Sequence, residues 1–233
     1  MLMHLDKSSK KIALLIDPEK YIEQEYLHQK KKIESFFDII LVGGSSDQNN
    51  QIENCIHSLK SYFDLPLYIF PGSHDQISSK ADGILYLSLI SGDNPKYLIG
   101  EHRKSARKVK EMGIDVIPTG YILIDGSNTS AVELVSETRP LAQENVDAII
   151  DTALAGELLG MQAIYLEAGS GAKVIVSQAI INRVNIKLDI PLIVGGGMRS
   201  TSDIKSAFEN GANMVVIGTF IEESVQNIDQ LKL

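Results

Sequence analysis

A chain of 233 residues with 22 Lys and Arg against 30 Asp and Glu carries a formal net charge of −8. With no basic surplus to neutralise phosphates, that balance argues against a nucleic-acid binder. At 44% apolar and 22% charged it has an ordinary globular composition, away from disordered or collagen-like classes.

No Gly/Ser-rich linker breaks the chain, so it is read as one domain over residues 1–233. Cys55 is the single cysteine, which excludes an intrachain disulfide and points to a reducing, cytoplasmic compartment. The polar start MLMHLDKSSKK lacks the apolar core of a signal peptide, and no apolar run reaches the roughly 18–20 residues of a membrane span. Peripheral contact with a membrane stays open, although an acidic chain gains nothing overall from anionic headgroups.

Short runs rich in Ile, Leu and Val predict strands at Ile12–Asp17, Asp38–Gly43, Pro66–Pro71, Gly83–Leu89, Val116–Ile124, Ala163–Glu167, Pro191–Gly195 and Met214–Gly218. They are nearly continuous in apolar residues, as strands covered on both faces must be. Helical stretches lie between them. Over Asn49–Phe63, Ile52, Cys55, Ile56, Leu59, Tyr62 and Phe63 recur at steps of three and four, which makes Cys55 a core residue. The helix over 94–112 carries Arg103, Lys104, Arg107, Lys108 and Lys110, read as a solvated face, and closes at Gly113. Ser127–Gln143, with Pro140 inside it, is the least regular stretch, and reads as an extended loop plus a helix. Ser200 and Asp203 form a capping box before a helix that buries Ile204, Ala207 and Phe208 and ends near Gly211. Eight such repeats in 233 residues fit an α/β (β/α)8 TIM barrel.

In such a barrel the chemistry sits where strands end. Gly195-Gly196-Gly197 and Gly218-Thr219 end the seventh and eighth strands, where bare backbone approaches a ligand closely and amides point at an anion. Tight turns are the alternative for either loop alone; two consecutive ones favour phosphate, and Gly169-Ser170-Gly171 adds donors. Asp17 ends the first strand, where a carboxylate either holds a hard cation such as Mg²⁺, with Ser45 of the next strand end as a second oxygen, or caps a helix starting at Pro18. Glu167 ends the sixth strand, placed as a general base on a hydroxyl or as half of a structural ion pair. The five histidines show no ligand spacing, and only His74 lies near a strand end.

The ordered set Ile16-Asp17-Pro18-Glu19-Lys20, Val42-Gly43-Gly44-Ser45, Tyr165-Leu166-Glu167-Ala168-Gly169-Ser170-Gly171, Val194-Gly195-Gly196-Gly197 and Ile217-Gly218-Thr219 resembles the geranylgeranylglyceryl phosphate synthase family over nearly the whole chain. The resemblance implies a modified TIM barrel and a prenyltransferase. That enzyme joins the C3 hydroxyl of sn-glycerol 1-phosphate to C1 of a long-chain prenyl diphosphate, with geranylgeranyl diphosphate the expected one, and releases diphosphate. It further implies Mg²⁺ held by Asp17 and Ser45. The glycerol phosphate site falls on Tyr165, Leu166, Glu167, Ala168, Gly169, Ser170, Gly171, Gly196, Gly197, Gly218 and Thr219. Glu167 becomes the base, Tyr121 an aromatic near the reacting prenyl carbon, and the chain a homo-oligomer. Leu15 stands where some members carry a lysine, so a cationic contact there is absent or supplied by Lys20, and the Gly-Thr ending resembles the second of the family's two groups. Tyr68, Phe70, Tyr86, Leu87 and Leu89 are groove candidates for the prenyl tail, with barrel core as the alternative reading. The rival functions are another phosphate-binding barrel, an isomerase or lyase, and a non-catalytic phosphate-ligand binder.

Overall fold

The computed structural model describes residues 5–44 and 51–231; Ser45 and Asn49, named above, lie outside them. Eight parallel strands close into a barrel in sequence order: β1 Lys11–Ile16, β2 Ile39–Val42, β3 Leu67–Ile69, β4 Gly83–Leu89, β5 Asp115–Leu123, β6 Ala163–Glu167, β7 Leu192–Gly195 and β8 Met214–Ile217. β1 pairs with both β2 and β8, which is the closure.

Alternation along each strand divides the apolar residues into two cores. One side faces the barrel interior, with Ala13, Leu41, Leu85, Tyr121, Tyr165, Ile193 and Val216. The other packs under the helices, with Leu14, Ile40, Ile164, Leu166, Val194 and Val215. This two-sided burial is why the strand sequences read as unbroken apolar runs.

The outer layer comprises α1 Glu23–His28, α2 Lys30–Phe36, α3 Gln51–Tyr62, α4 Glu101–Met112, α5 Ala131–Ser136, α6 Val146–Leu158, α7 Gln178–Asn185, α8 Thr201–Glu209 and α9 Thr219–Glu223. The expected ends are present. Gly113 takes φ 65° after α4, and the Ser200–Asp203 capping box opens α8. Cys55 is buried on α3. Tyr62, at the last residue of α3, is 41% exposed instead of sharing that buried face, while Phe63 just beyond it is buried. Phe208 is half-buried, with Lys10 Nζ 5.4 Å from its ring centroid.

Two stretches depart from a regular repeat. Residues 70–82, between β3 and β4, form no helix, and β3 stops at Ile69 ahead of Pro71-Gly72, shorter than the run Pro66–Pro71 suggests. In place of a helix, Phe70, Gly72, His74 and Ile77 of this segment line the top of the barrel. Within 127–143, α5 is capped by Ser130, whose Oγ accepts from the Glu133 amide, and Leu141 then bridges to Ile124.

Candidate functional site

At the C-terminal ends of the strands the barrel opens into a cavity of about 270 Å³. It is lined by residues from every strand end, among them Asp17, Gly44, Phe70, Leu89, Tyr121, Glu167, Gly196 and Gly218.

Glu167 is its electrostatic centre. Two residues before it, Tyr165 points inward, so strand period two sends the Glu167 side chain inward as well. The side chain is buried, and Oε1 accepts the Gly169 amide at 2.7 Å. Burial pushes its carboxyl up to about 7, with the neighbouring tyrosine and the Gly169 amide pulling the other way. Near neutral pH such a group both accepts and returns protons. No basic side chain forms an ion pair with Glu167 among the described residues, which sets aside its reading as half of a salt bridge.

An aromatic platform lies beside it. Tyr121 and Tyr165 pair in register across β5 and β6 and stack with centroids 5.3 Å apart, at 20° between planes. Phe70 tilts against both, at 6.2 and 5.4 Å. Burial, then the Glu167 charge, raises both phenols well above their usual range, so they stay neutral.

The glycine loops form the other wall. Gly169, Gly171, Gly196 and Gly197 have φ of 100°, 68°, 85° and 75°, which exposes their backbone as side-chain-bearing residues rarely do. A Cβ on Gly196 would stand 2.5 Å from Glu167 Oε1, so that loop must be bare to lie against the carboxylate. Ser170 Oγ and Thr219 Oγ1 are 2.9 Å apart, which joins the loops after β6 and β8 over the cavity. Among the residues expected at the glycerol phosphate site, Tyr165, Glu167, Ser170, Gly196, Gly197, Gly218 and Thr219 line the cavity. Leu166 and Ala168 direct their side chains into the layer under the helices, and the Gly169 amide is already committed to Glu167. Gly171 lies behind, beside Ala172 and Arg199.

Across the mouth, Asp17 sits in a turn and not at a helix start: Oδ1 accepts the Glu19 amide at 3.0 Å, and the first helix begins only at Glu23. Glu222, from α9, accepts the Asp17 amide at 3.2 Å. Lys20 bridges the two carboxylates, 2.8 Å from Glu222 and 3.5 Å from Asp17. Burial works against its charge, but the bonds and charges of Glu222 and then Asp17 prevail and raise its pKa. The Asp17 carboxylate retains access to the cavity and lies under Gly44, where a Cβ would stand 2.7 Å from Oδ1. One carboxylate suits a hard cation that draws its other ligands from substrate phosphates and water. No group of three His, Cys, Asp or Glu stands ready to hold a metal unaided among the described residues.

The groove candidates divide. Tyr68 is fully buried at the bottom of the barrel, where its hydroxyl donates to Asp115 at 2.8 Å, and it belongs to the core. Phe70, Tyr86, Leu87 and Leu89 line the cavity instead. Ile84 and Tyr86 face outward from β4, so the cavity reaches past the barrel mouth, between the segment 70–82 and α4, where Tyr86 Oη donates to the His102 carbonyl at 2.8 Å.

Sequence reasoning missed several lining residues. Glu222 follows the Gly-Thr ending on a short helix and Arg199 sits past a glycine turn, where no strand-end signal marks them. His74, the histidine marked near a strand end, does reach the cavity, with Nδ1 2.6 Å from Glu101 Oε2. His102 comes from the buried face of α4, with Nε2 3.2 Å from Ser88 Oγ.

A protein from Zunongwangia profunda named geranylgeranylglyceryl phosphate synthase is 49% identical over 215 residues, 92% of each chain. One of the same name from Flavobacterium johnsoniae is 47% identical over 221 residues, 94% of this chain and 91% of its own. The crystal structure of (S)-3-O-geranylgeranylglyceryl phosphate synthase from Thermoplasma acidophilum, in complex with substrate sn-glycerol-1-phosphate, superposes with a TM-score of 0.89. It is 34% identical, over 96% of this chain and 91% of that one. The family model described as the PcrB family matches residues 6–232. Barrel and sequence agree over almost the full length, and the chain belongs to the PcrB family, together with the geranylgeranylglyceryl phosphate synthases it resembles.

Proposed function

We propose that the chain is a prenyltransferase joining sn-glycerol 1-phosphate to a long-chain prenyl diphosphate. The observation that carries this reading is the position of Glu167, buried between bare glycine loops on one side and an aromatic, apolar cavity wall on the other. The glycine amides and the Ser170 and Thr219 hydroxyls cradle the glycerol phosphate. The relative solved with sn-glycerol-1-phosphate supports this end of the site.

With the phosphate held there, the C3 hydroxyl lies against Glu167. As the oxygen attacks C1 of the prenyl chain, its proton passes to the carboxylate, the new C–O bond forms, and the bond from C1 to the diphosphate oxygen breaks. A placed base contributes about 10²–10⁴ in rate. Tyr121, stacked on Tyr165, presents a ring face toward developing allylic positive charge. Mg²⁺, when bound by Asp17 and Ser45, supplies charge that stabilises the leaving diphosphate. Lys20 orients Asp17 and adds a second positive charge at the same end. The apolar branch past Phe70, Leu87 and Tyr86 takes the prenyl chain.

A homo-oligomer would draw on the outer ring. Leu158, Leu159 and Ile186, at neighbouring ends of α6 and α7, are 86%, 77% and 66% exposed.

The test is incubation of purified protein with sn-glycerol 1-phosphate, Mg²⁺ and prenyl diphosphates of graded length, with the product weighed by mass spectrometry. An ether product with one preferred length supports the reading. Glycerol phosphate binding without product at any length would leave a phosphate-binding barrel of another purpose.

A further inference from the structure

On the β4 side the cavity mouth is rimmed by two segments tied together by hydrogen bonds. Tyr97 Oη donates to the Val135 carbonyl at 2.9 Å, and Asn94 Nδ2 to the Ser136 carbonyl at 3.0 Å. Tyr97, Val132 and Val135 line the cavity from this rim. On its outside, Ile99, Leu134 and Val135 are 56%, 68% and 50% exposed, three large apolar side chains at one entrance.

The charge around them runs against the rest of the molecule. Residues 93–112 and 131–139 hold seven Lys and Arg against five Asp and Glu, while the remainder has 15 against 25. Lys104 is engaged by Glu101 at 2.9 Å, but Arg103 and Arg107 are exposed and form no ion pair among the described residues. A step of four places Arg103 and Arg107 along one line of α4, Lys108 and Lys110 extend the cationic face down that helix, and Lys96 and Ile99 lie in the π-helical turn Lys96–Gly100 that leads into it. Asp93, Glu111, Glu133 and Glu137 are the other carboxylates of these segments.

We infer that this rim is a docking surface for a bilayer containing anionic lipids. Apolar side chains that enter the headgroup boundary, beside unpaired cations that meet lipid phosphates, are what an interfacial contact requires. Net charge of −8 hides this, because seven of the 22 basic residues fall in these two segments, where they outnumber the five carboxylates. The purpose of the contact rests on the proposed prenyl transfer: a cavity mouth held at the membrane receives a long apolar chain without passing it through water.

The test mixes the full chain with vesicles of phosphatidylcholine alone, or of equal parts phosphatidylcholine and phosphatidylglycerol, and reads binding by flotation. Binding to the anionic vesicles is expected, and it weakens as salt rises. The triple variant K96Q/R103Q/R107Q is expected to lose about a hundredfold in vesicle affinity, from about fivefold per cation. I99S/L134S is expected to lose affinity several-fold. None of these five residues lines the cavity, so both variants keep wild-type turnover on a short, water-soluble prenyl diphosphate.

A wild-type chain that stays out of the anionic vesicles at low salt overturns the inference, as does a charge variant that floats equally well. If I99S/L134S alters sedimentation without vesicles and leaves flotation unchanged, the rim is a contact between copies and the inference also falls. Expected flotation without turnover on the soluble substrate upholds the surface and removes the reaction assigned above.

Discussion

The cavity has two unlike halves. From β6 to β8 it is backbone and hydroxyl, with the left-handed Gly196 and Gly197 close against the buried Glu167. Around β3 and β4 it is Phe70, Leu87 and Leu89, with Tyr86 beyond them under α4. The first half is built to fix a small charged molecule in one pose. The second accepts length and shape by apolar contact, which is non-directional and tolerant.

The largest way to break the contrast is to remove the one titrating group of the polar half. Glu167→Gln is expected to lower kcat by about 10²–10⁴ while sn-glycerol 1-phosphate still binds within tenfold, as calorimetry would measure. The same variant reports on the buried charge. Glu167 has its folded pKa raised from 4.5 to about 7, so the folded protein holds its proton longer than the unfolded chain does. Stability therefore falls as pH rises from about 4.5 through 7, by roughly 3 kcal/mol at most. Glu167→Gln should abolish that fall, and thermal melts of both proteins between pH 5 and 8 would show it; parallel curves would place the carboxyl in a less buried setting.

Two glycines sharpen the comparison at smaller scale. Gly196→Ala drives a Cβ to 2.5 Å from Glu167 Oε1 and should cost about a hundredfold in glycerol phosphate affinity, since buried polar groups lose their partners. Gly171→Ala meets nothing within 4 Å and bears only its left-handed φ of 68°, about 1 kcal/mol of stability with binding nearly unchanged. Equal effects at the two positions would mean that conformation, and not contact with the carboxylate, decides the glycine at 196.

The polar half was legible in the sequence because its signals are local. Glycines and a carboxylate at predicted strand ends mark where backbone must be bare, and the ordered motifs supplied the rest. The apolar half was not, since Tyr68 and Phe70 look alike as text. Tyr68 lies at the bottom of the barrel with its hydroxyl on Asp115, and Phe70, two residues later, lies at the mouth. Which apolar residue fills the core and which lines a groove depends on its height in the barrel and on a segment 70–82 that forms no helix, and no propensity rule announces either. Glu222 was hidden for a different reason. It reaches the Asp17 amide and Lys20 only because α9 folds back beside β1, a contact spanning 205 residues.

Asp17 is the hinge between the halves and gives an intermediate effect. Asp17→Asn should raise the Mg²⁺ concentration for half-maximal activity about tenfold and leave glycerol phosphate affinity alone, because the carboxylate stands across the mouth from Glu167. An unchanged metal titration would remove Asp17 from the metal site. It would leave it as the partner of the Glu19 amide and Lys20.

The smallest effect is expected where contacts are most tolerant. Leu87→Ala removes side-chain volume from the groove wall without touching the glycine loops, and an apolar truncation of this kind is worth about 1–3 kcal/mol of discrimination. The expected result is a several-fold rise in KM for the best prenyl diphosphate, little change in kcat, and a shift in preferred chain length, measured by competition between two lengths in one reaction. A fall in kcat with length preference intact would show that Leu87 positions the reacting carbon instead. The boundary between the rigid and tolerant halves would then lie deeper in the cavity, on the far side of Tyr121.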